Sequence, residues 1–345
     1  MAAIAQRSPM PYLSDYLVRR LRMRHLELLV ALADAGSMRA AATRLNLSQP
    51  ALSKMLGEIE AGFDARLFER TAHGLVANAA GNAAIYRARV ILGELSRSKD
   101  EVDALRDGAE GLLRLGALSV TATVPQAITE LRRRLPLAKV QVHEGRVREL
   151  IQRLLNGELD CVFGAVTPDL LTSAQLSLLQ PELLLEDELC VLCAPGHALS
   201  RRRQLAWGDV HGQPWVAPPK DTLVRQALMT AFLNAGQQPP EPAIEVLSSV
   251  TLGSLLRLDE SMLGAVRLEQ ARDELSRGGI VRLPLAPPVQ LPSLGLYTRR
   301  AAEGAPPAVK AFAEAIGRVR VRESTQRSPG AAPRKKSSGA SGRRT

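Results

Sequence analysis

The chain has 345 residues, 46% of them hydrophobic, a formal net charge of +10 and three cysteines. That is ample apolar material for two or three cores, while an odd set of cysteines (Cys161, Cys190, Cys193) argues against a disulfide framework and for a reducing compartment, the cytoplasm. No run approaches the roughly 20 apolar residues of a membrane span, the N-terminus lacks the apolar core of a secretory signal, and 3% aromatic content disfavours binders that stack single-stranded bases on rows of rings.

Residues 1–20 contain Pro9 and Pro11 and no sustained period, and read as a loose leader. Three short helices are then predicted over 25–60. Leu26, Leu29, Val30 and Ala33 form one apolar stripe that Gly36 ends; Ser37 caps a second helix with Met38, Ala41, Ala42 and Leu45 on one face. After a turn at Asn46 and Leu47, Ser48 caps a third helix that tolerates Pro50 in its first turn and buries Leu52, Met55, Leu56 and Ile59. Its other face carries Gln49, Ser53 and Lys54.

From Asn78, a capping residue, one uninterrupted helix is predicted to about Asp107. Ile85, Ala88, Leu92, Leu95, Lys99 and Val102 alternate three and four apart, a seam broken only by Lys99. No helix of similar length is visible elsewhere in the chain, so a second copy is the expected partner, with Ile85, Leu92, Leu95 and Val102 as dimerisation residues. After Gly108 and Gly111 strands and helices alternate, the pattern of an α/β domain with a mostly parallel sheet. Strands are expected at 112–120, 139–143, 159–166, 189–193, 243–247 and 262–266, with helices at 125–135, 147–156, 222–235, 250–258 and 268–276. Crossing segments near 167–188 and 284–300 would join two lobes around a cleft, lobe I at about 111–167 and 291–320 and lobe II at about 186–284. The stretch 323–345, Pro/Gly/Ser-rich and basic, reads as a disordered tail; residues 321–345 hold +6 of the net charge. Any claim of DNA binding therefore rests on a local motif.

Such a motif is present. A capped second helix, a tight turn and a third helix opening Ser48-Gln49-Pro50-Ala51-Leu52-Ser53-Lys54 has helix-turn-helix form. Gln49 can pair bidentately with adenine, Ser53 can meet base or phosphate, and Lys54 can reach phosphate or guanine. Three packed helices could also be a plain bundle. The run Leu47 to Lys54, with Glu58-Ile59-Glu60, Arg66-Leu67-Phe68-Glu69-Arg70-Thr71 and Ala80-Gly81, resembles the LysR-type transcriptional regulators. The texture also resembles the subgroup named for regulation of a galactose-binding protein. The resemblance implies a winged helix-turn-helix domain (21–77), a dimerising linker helix (78–108) and a two-lobed periplasmic-binding-protein-like effector domain (111–322). It further implies a homodimer or homotetramer at the nucleoid, bound to double-stranded promoter DNA, answering a small-molecule effector and working with RNA polymerase. Carried over by position, Ser48, Gln49, Pro50, Ser53 and Lys54 are DNA contacts in the recognition helix, and Arg70, Thr71 and His73 in the wing. Three residues depart from the pattern: Asp64 where a glycine is usual, His73 at the arginine of the wing tip, and Ala77-Asn78 for the common Leu-Thr.

The effector contacts implied in the same way are Ser119, Thr121, Arg146, Val147, Thr167, Ser248 and Ser249, at strand ends and helix starts where ligands of open α/β sheets bind. The Arg146 guanidinium favours an anionic guest. Cys190-Val-Leu-Cys193 raises a thiol switch, but positions i and i+3 of a strand face opposite sides and the flanks are apolar, so buried thiols are expected. The five histidines show no ligand spacing, and no nucleophile-elbow or phosphate-loop sequence appears. The reading is a regulator without catalysis, cofactor or metal. Its alternative is a ligand-binding or nucleoid-associated protein with no sequence preference.

Overall fold

A computed structural model describes residues 20–71, 74–172, 174–300 and 306–326. The N-terminal domain opens with α1 (Met23–Ala35), which ends where Gly36 takes a left-handed φ of 62°. In α2 (Met38–Arg44) the Ser37 hydroxyl accepts from Ala40 N at 3.2 Å, and in α3 (Gln49–Phe63) Ser48 accepts from Ala51 N at 3.3 Å, each satisfying a helix-start donor. Leu28, Leu29, Leu32, Ala41, Leu52 and Ile59 close the core between the three helices. Asp64, in the place of the usual glycine, does adopt the left-handed conformation, with φ 49°. Strands β1 (Phe68–Thr71) and β2 (Gly74–Ala77) pair antiparallel, with Phe68 opposite Ala77.

Helix α4 (Ala79–Arg106) follows, and Asn78 ties its start down on two sides: Oδ1 accepts from Gly81 N at 2.9 Å, and Nδ2 donates to Arg66 O at 2.8 Å. One face of its first half completes the N-terminal core. Ile85 and Ala88 are buried there and Leu92 packs against it, so of the apolar residues in the expected dimer seam only Leu95 (54% exposed) and Val102 (60%) face solvent. Ile91 and Leu105 join them on the exposed side.

The C-terminal domain contains β3 (Leu112–Ala117), α5 (Thr123–Arg134), β4 (Lys139–Glu144), α6 (Val147–Leu155), β5 (Cys161–Ala165), the single turn α7 (Pro168–Leu171) and β6 (Leu179–Cys193). It continues through β7 (Leu205–Ala206), β8 (Trp215–Ala217), α8 (Leu223–Asn234), β9 (Ile244–Glu245), α9 (Ser249–Leu258), β10 (Leu263–Arg267) and α10 (Leu268–Ser276). It closes with β11 (Val281–Arg282), β12 (Leu285–Ala286), β13 (Gln290–Arg299) and α11 (Pro307–Gln326). The strand order is β4-β3-β5-β13-β6-β10-β8-β9. Parallel pairs lie at both ends of this order, and the centre is antiparallel: β13 pairs antiparallel with β5 and β6, and β10 with β6.

Three expectations need correction. The sheet is mixed, because the two chain segments that cross between lobes are themselves strands. Residues 179–188, expected as a connection, form the first part of β6 against β13, and the same strand continues into lobe II against β10. Helix α11 was not anticipated; Val309, Phe312 and Ile316 pack it with Val124, Ala127 and Leu131 of α5 in lobe I. It extends through 323–326, the first residues of the expected tail. Residues 1–19 and 327–345, and with them most of the leader and tail, lie outside the described residues.

Candidate DNA-reading helix and effector cleft

Leu52 and Ile59 anchor one side of α3, and the other side is left to solvent: Ser48, Gln49, Pro50, Ser53 and Lys54 are all exposed. None of Gln49, Ser53 and Lys54 makes a side-chain hydrogen bond or ion pair with another described residue, so their donors and acceptors are available to an external partner. Arg70 is exposed on β1, and the neighbouring Thr71 hydroxyl donates to Gly74 O at 3.2 Å. His73 lies outside the described residues. The frame behind this face is held by charge: Asp34 of α1 takes Arg44 of α2 at 3.0 Å and Arg89 of α4 at 2.5 Å. Glu60 Oε1 accepts from Leu67 N at 2.8 Å, joining α3 to the hairpin.

The cleft residues separate into groups. The Ser119 and Thr121 hydroxyls lie 3.3 Å apart in the turn between β3 and α5, where Ala122 has a φ of 40°. Arg146, expected to attract an anion, is exposed and already paired with Asp221 of the other lobe. Val147 is half-buried under Gly164. Thr167 precedes α7 without a side-chain cap bond. Ser248 is a cap, its hydroxyl accepting from Thr251 N at 3.3 Å, and Ser249 is buried in the first turn of α9. No hydrogen bond among the described residues joins this pair to the Ser119–Thr121 turn.

A second link across the lobes has no counterpart among the expected site residues. Glu269, at the start of α10 and 5% exposed, accepts through Oε1 from Thr123 N of α5 at 2.5 Å. Beside it Arg267 and Asp187 form a buried ion pair of 2.8 Å where β6 passes from one lobe to the other. Burial pushes the Asp187 carboxyl up despite the facing guanidinium. A signal was present in Val266-Arg267-Leu268-Glu269: two charges one residue apart where an apolar strand turns into a helix. Asp221 sits in a polar loop and gave no such sign.

All three cysteines are free and buried, and Cys190 and Cys193 point into different cores on opposite faces of the sheet. Burial pushes the Cys190 thiol up to about 12 and Cys193 to about 11, far from the thiolate range in which a redox sensor works.

Comparison with known proteins bears on both regions. Residues 23–82 match the bacterial regulatory helix-turn-helix protein, lysR family, and residues 106–320 match the LysR substrate binding domain. The HTH-type transcriptional regulator GalR of Pseudomonas putida is 32% identical over 293 residues, 84% of this chain and 72% of that protein. The HTH-type transcriptional regulator GbpR of Azospirillum brasilense is 32% identical over 250 residues, 72% of each chain. Among solved structures, CbnR, a LysR family transcriptional regulator, aligns with a TM-score of 0.53 at 21% identity, covering 87% of this chain and 99% of that one. Full-length OxyR from Pseudomonas aeruginosa aligns with a TM-score of 0.55 at 20% identity, covering 86% and 97%. These two likenesses establish a shared fold.

Proposed function

Because the chain belongs to the LysR family of DNA-binding transcription regulators with an effector-binding domain, we propose that Gln49, Ser53 and Lys54 of α3 read the major groove of promoter DNA. Arg70 and Thr71 hold the adjoining backbone. The observation that carries this reading is the division of α3: a side locked by Leu52 and Ile59, and a side of polar groups with no partner among the described residues. Two copies joined along the exposed side of α4 would present two such helices to the half-sites of one operator, and pairs of dimers would form the tetramer. A small molecule between the lobes sets the arrangement, with Ser119, Thr121 and the cross-lobe pair Arg146–Asp221 at its margin. The protein acts in the cytoplasm at the nucleoid, recruits or contacts RNA polymerase, and catalyses no reaction.

The test is selection of bound fragments from genomic DNA by the full-length protein, followed by footprinting and salt titration on the fragments recovered. A two-half-site footprint with a sequence preference that persists as salt rises is expected. Protection without preference, described wholly by its salt slope, would leave a nucleoid-coating protein instead.

A further inference from the structure

Two buried side chains at the junction of the lobes keep polar atoms without a hydrogen bond to any described residue. Arg267 is 3% exposed; its Nε lies 2.8 Å from Asp187 Oδ2 in an ion pair, but none of Nε, Nη1 and Nη2 makes a well-formed hydrogen bond with another described residue. On the facing lobe Thr123, at the start of α5, is wholly buried and its Oγ1 also has no hydrogen-bond partner among the described residues. Donors withdrawn from water and left unmatched are costly, so a pair of them at one junction calls for an acceptor. Glu269 acts on both: its carboxylate accepts from Thr123 N and is, after Asp187, the second negative charge acting on Arg267. A buried carboxylate at the N-terminus of a twelve-residue helix, beside an arginine, has the surroundings of a bound anion.

Taking the cleft as the effector site, as above, we propose that this junction is a carboxylate site whose resident occupant is Glu269. The effector is a small organic acid whose single carboxylate replaces Glu269 at the start of α5 and fills the open fork of Arg267. Arg146 is exposed and faces Asp221, so it encloses an anion less than the buried junction does. The displaced Glu269 has a partner to hand, because Arg272 Nη1 is 3.7 Å from its Oε2 one helical turn away.

The test uses the full-length protein with acetate as probe and chloride at equal ionic strength as control, followed by thermal unfolding. In Glu269→Ala the resident carboxylate is gone, and acetate is expected to raise Tm saturably, half-maximally at about one tenth of the concentration the wild type needs. Glu269→Gln keeps the shape without the charge, should show the same gain in weaker form, and serves if the alanine variant folds poorly. Adding Arg267→Lys to Glu269→Gln keeps the charge facing Asp187 but removes the fork, and should abolish the gain. The proposal falls if acetate acts like chloride on both Glu269 variants, or if wild type and variants half-saturate alike. Footprinting wild-type protein on operator DNA with a panel of neutral sugars and small acids separates the two readings. A response to a neutral compound overturns the carboxylate site and leaves the cleft as the effector site.

Discussion

Gln49 and Lys54 share the open face of α3, yet their loss should read differently, because a bidentate amide selects a base whereas an ammonium meeting phosphate is indifferent to sequence. Gln49→Ala should cost about 1–3 kcal/mol on a matched operator and little on one mismatched at the contacted pair. Lys54→Ala should weaken both alike and lower the salt slope by about one. Fluorescence titrations on the two operators decide it, and unchanged selectivity in the Gln49 variant removes α3 from the groove. Behind that face His25 is buried on α1, accepting from Arg22 N at 3.2 Å through Nδ1. Burial, helped by Arg24 and opposed by Glu58, holds its pKa below the ordinary value of about 6.5. The unfolded chain then takes up a proton that the folded domain refuses. Stability is intact above the ordinary value, falls as pH drops through it, and levels off below the folded pKa. Urea melts from pH 8 to 5 should show that slope in the wild type and a shallower one in His25→Gln; parallel slopes would assign it elsewhere.

Elements whose cause is local were legible in the sequence. Ser37, Ser48 and Asn78 cap the helices the sequence assigns to them, and Leu268–Ser276 matches its expected bounds. What escaped depends on distant partners. The first part of β6 carries Pro181 and four acidic residues and reads as a connection until β13, more than a hundred residues on, pairs with it. The first half of the α4 seam departs for a similar reason: periodicity reports that a face is apolar and not which neighbour covers it. Ile85 is covered by α1, whereas Ile91, Leu95, Val102 and Leu105, spaced four, seven and three apart, are left open. Leu95→Glu or Val102→Glu should therefore dissociate dimers with little loss of monomer stability, a buried unpaired charge arising only in the dimer. Ile85→Ala should instead cost about 2–4 kcal/mol of folding stability. Sedimentation together with thermal melts separates the two effects, and a Leu95→Glu protein that stays dimeric would place the interface elsewhere.

At the scale of the whole molecule, a ligand between the lobes can alter DNA binding only through contacts that differ between arrangements, and α4 supplies the physical link. Its first half is part of the DNA-binding core, and its second half rests on lobe I. Arg97 meets the buried Asp160 at 2.6 Å, Asp100 meets Arg114 at 2.6 Å, and Glu94 pairs with Arg299 of the crossing strand β13. The approach is close because residue 93 is glycine: a Cβ there would stand 2.3 Å from Asn156 O and 3.1 Å from Gly157 Cα. Rotation of the lobes about β6 and β13 would move Arg299, and through Glu94 the helix α4, whose first half packs in the core that holds α3. Gly93→Val keeps the helix, since valine is no worse there than glycine, but forces α4 off lobe I. The variant should bind operator within about threefold of wild type, because neither α3 nor the exposed side of α4 is touched, and its footprint should no longer change with effector. Arg97→Ala leaves Asp160 buried with the Arg114 amide as its remaining donor, so it should cost about 1–3 kcal/mol of stability and weaken the response in part. Footprints with and without effector, beside hydrogen exchange at 153–160, decide the matter. A Gly93→Val protein that exchanges faster there yet responds as wild type does would show that the signal passes between subunits and not along α4.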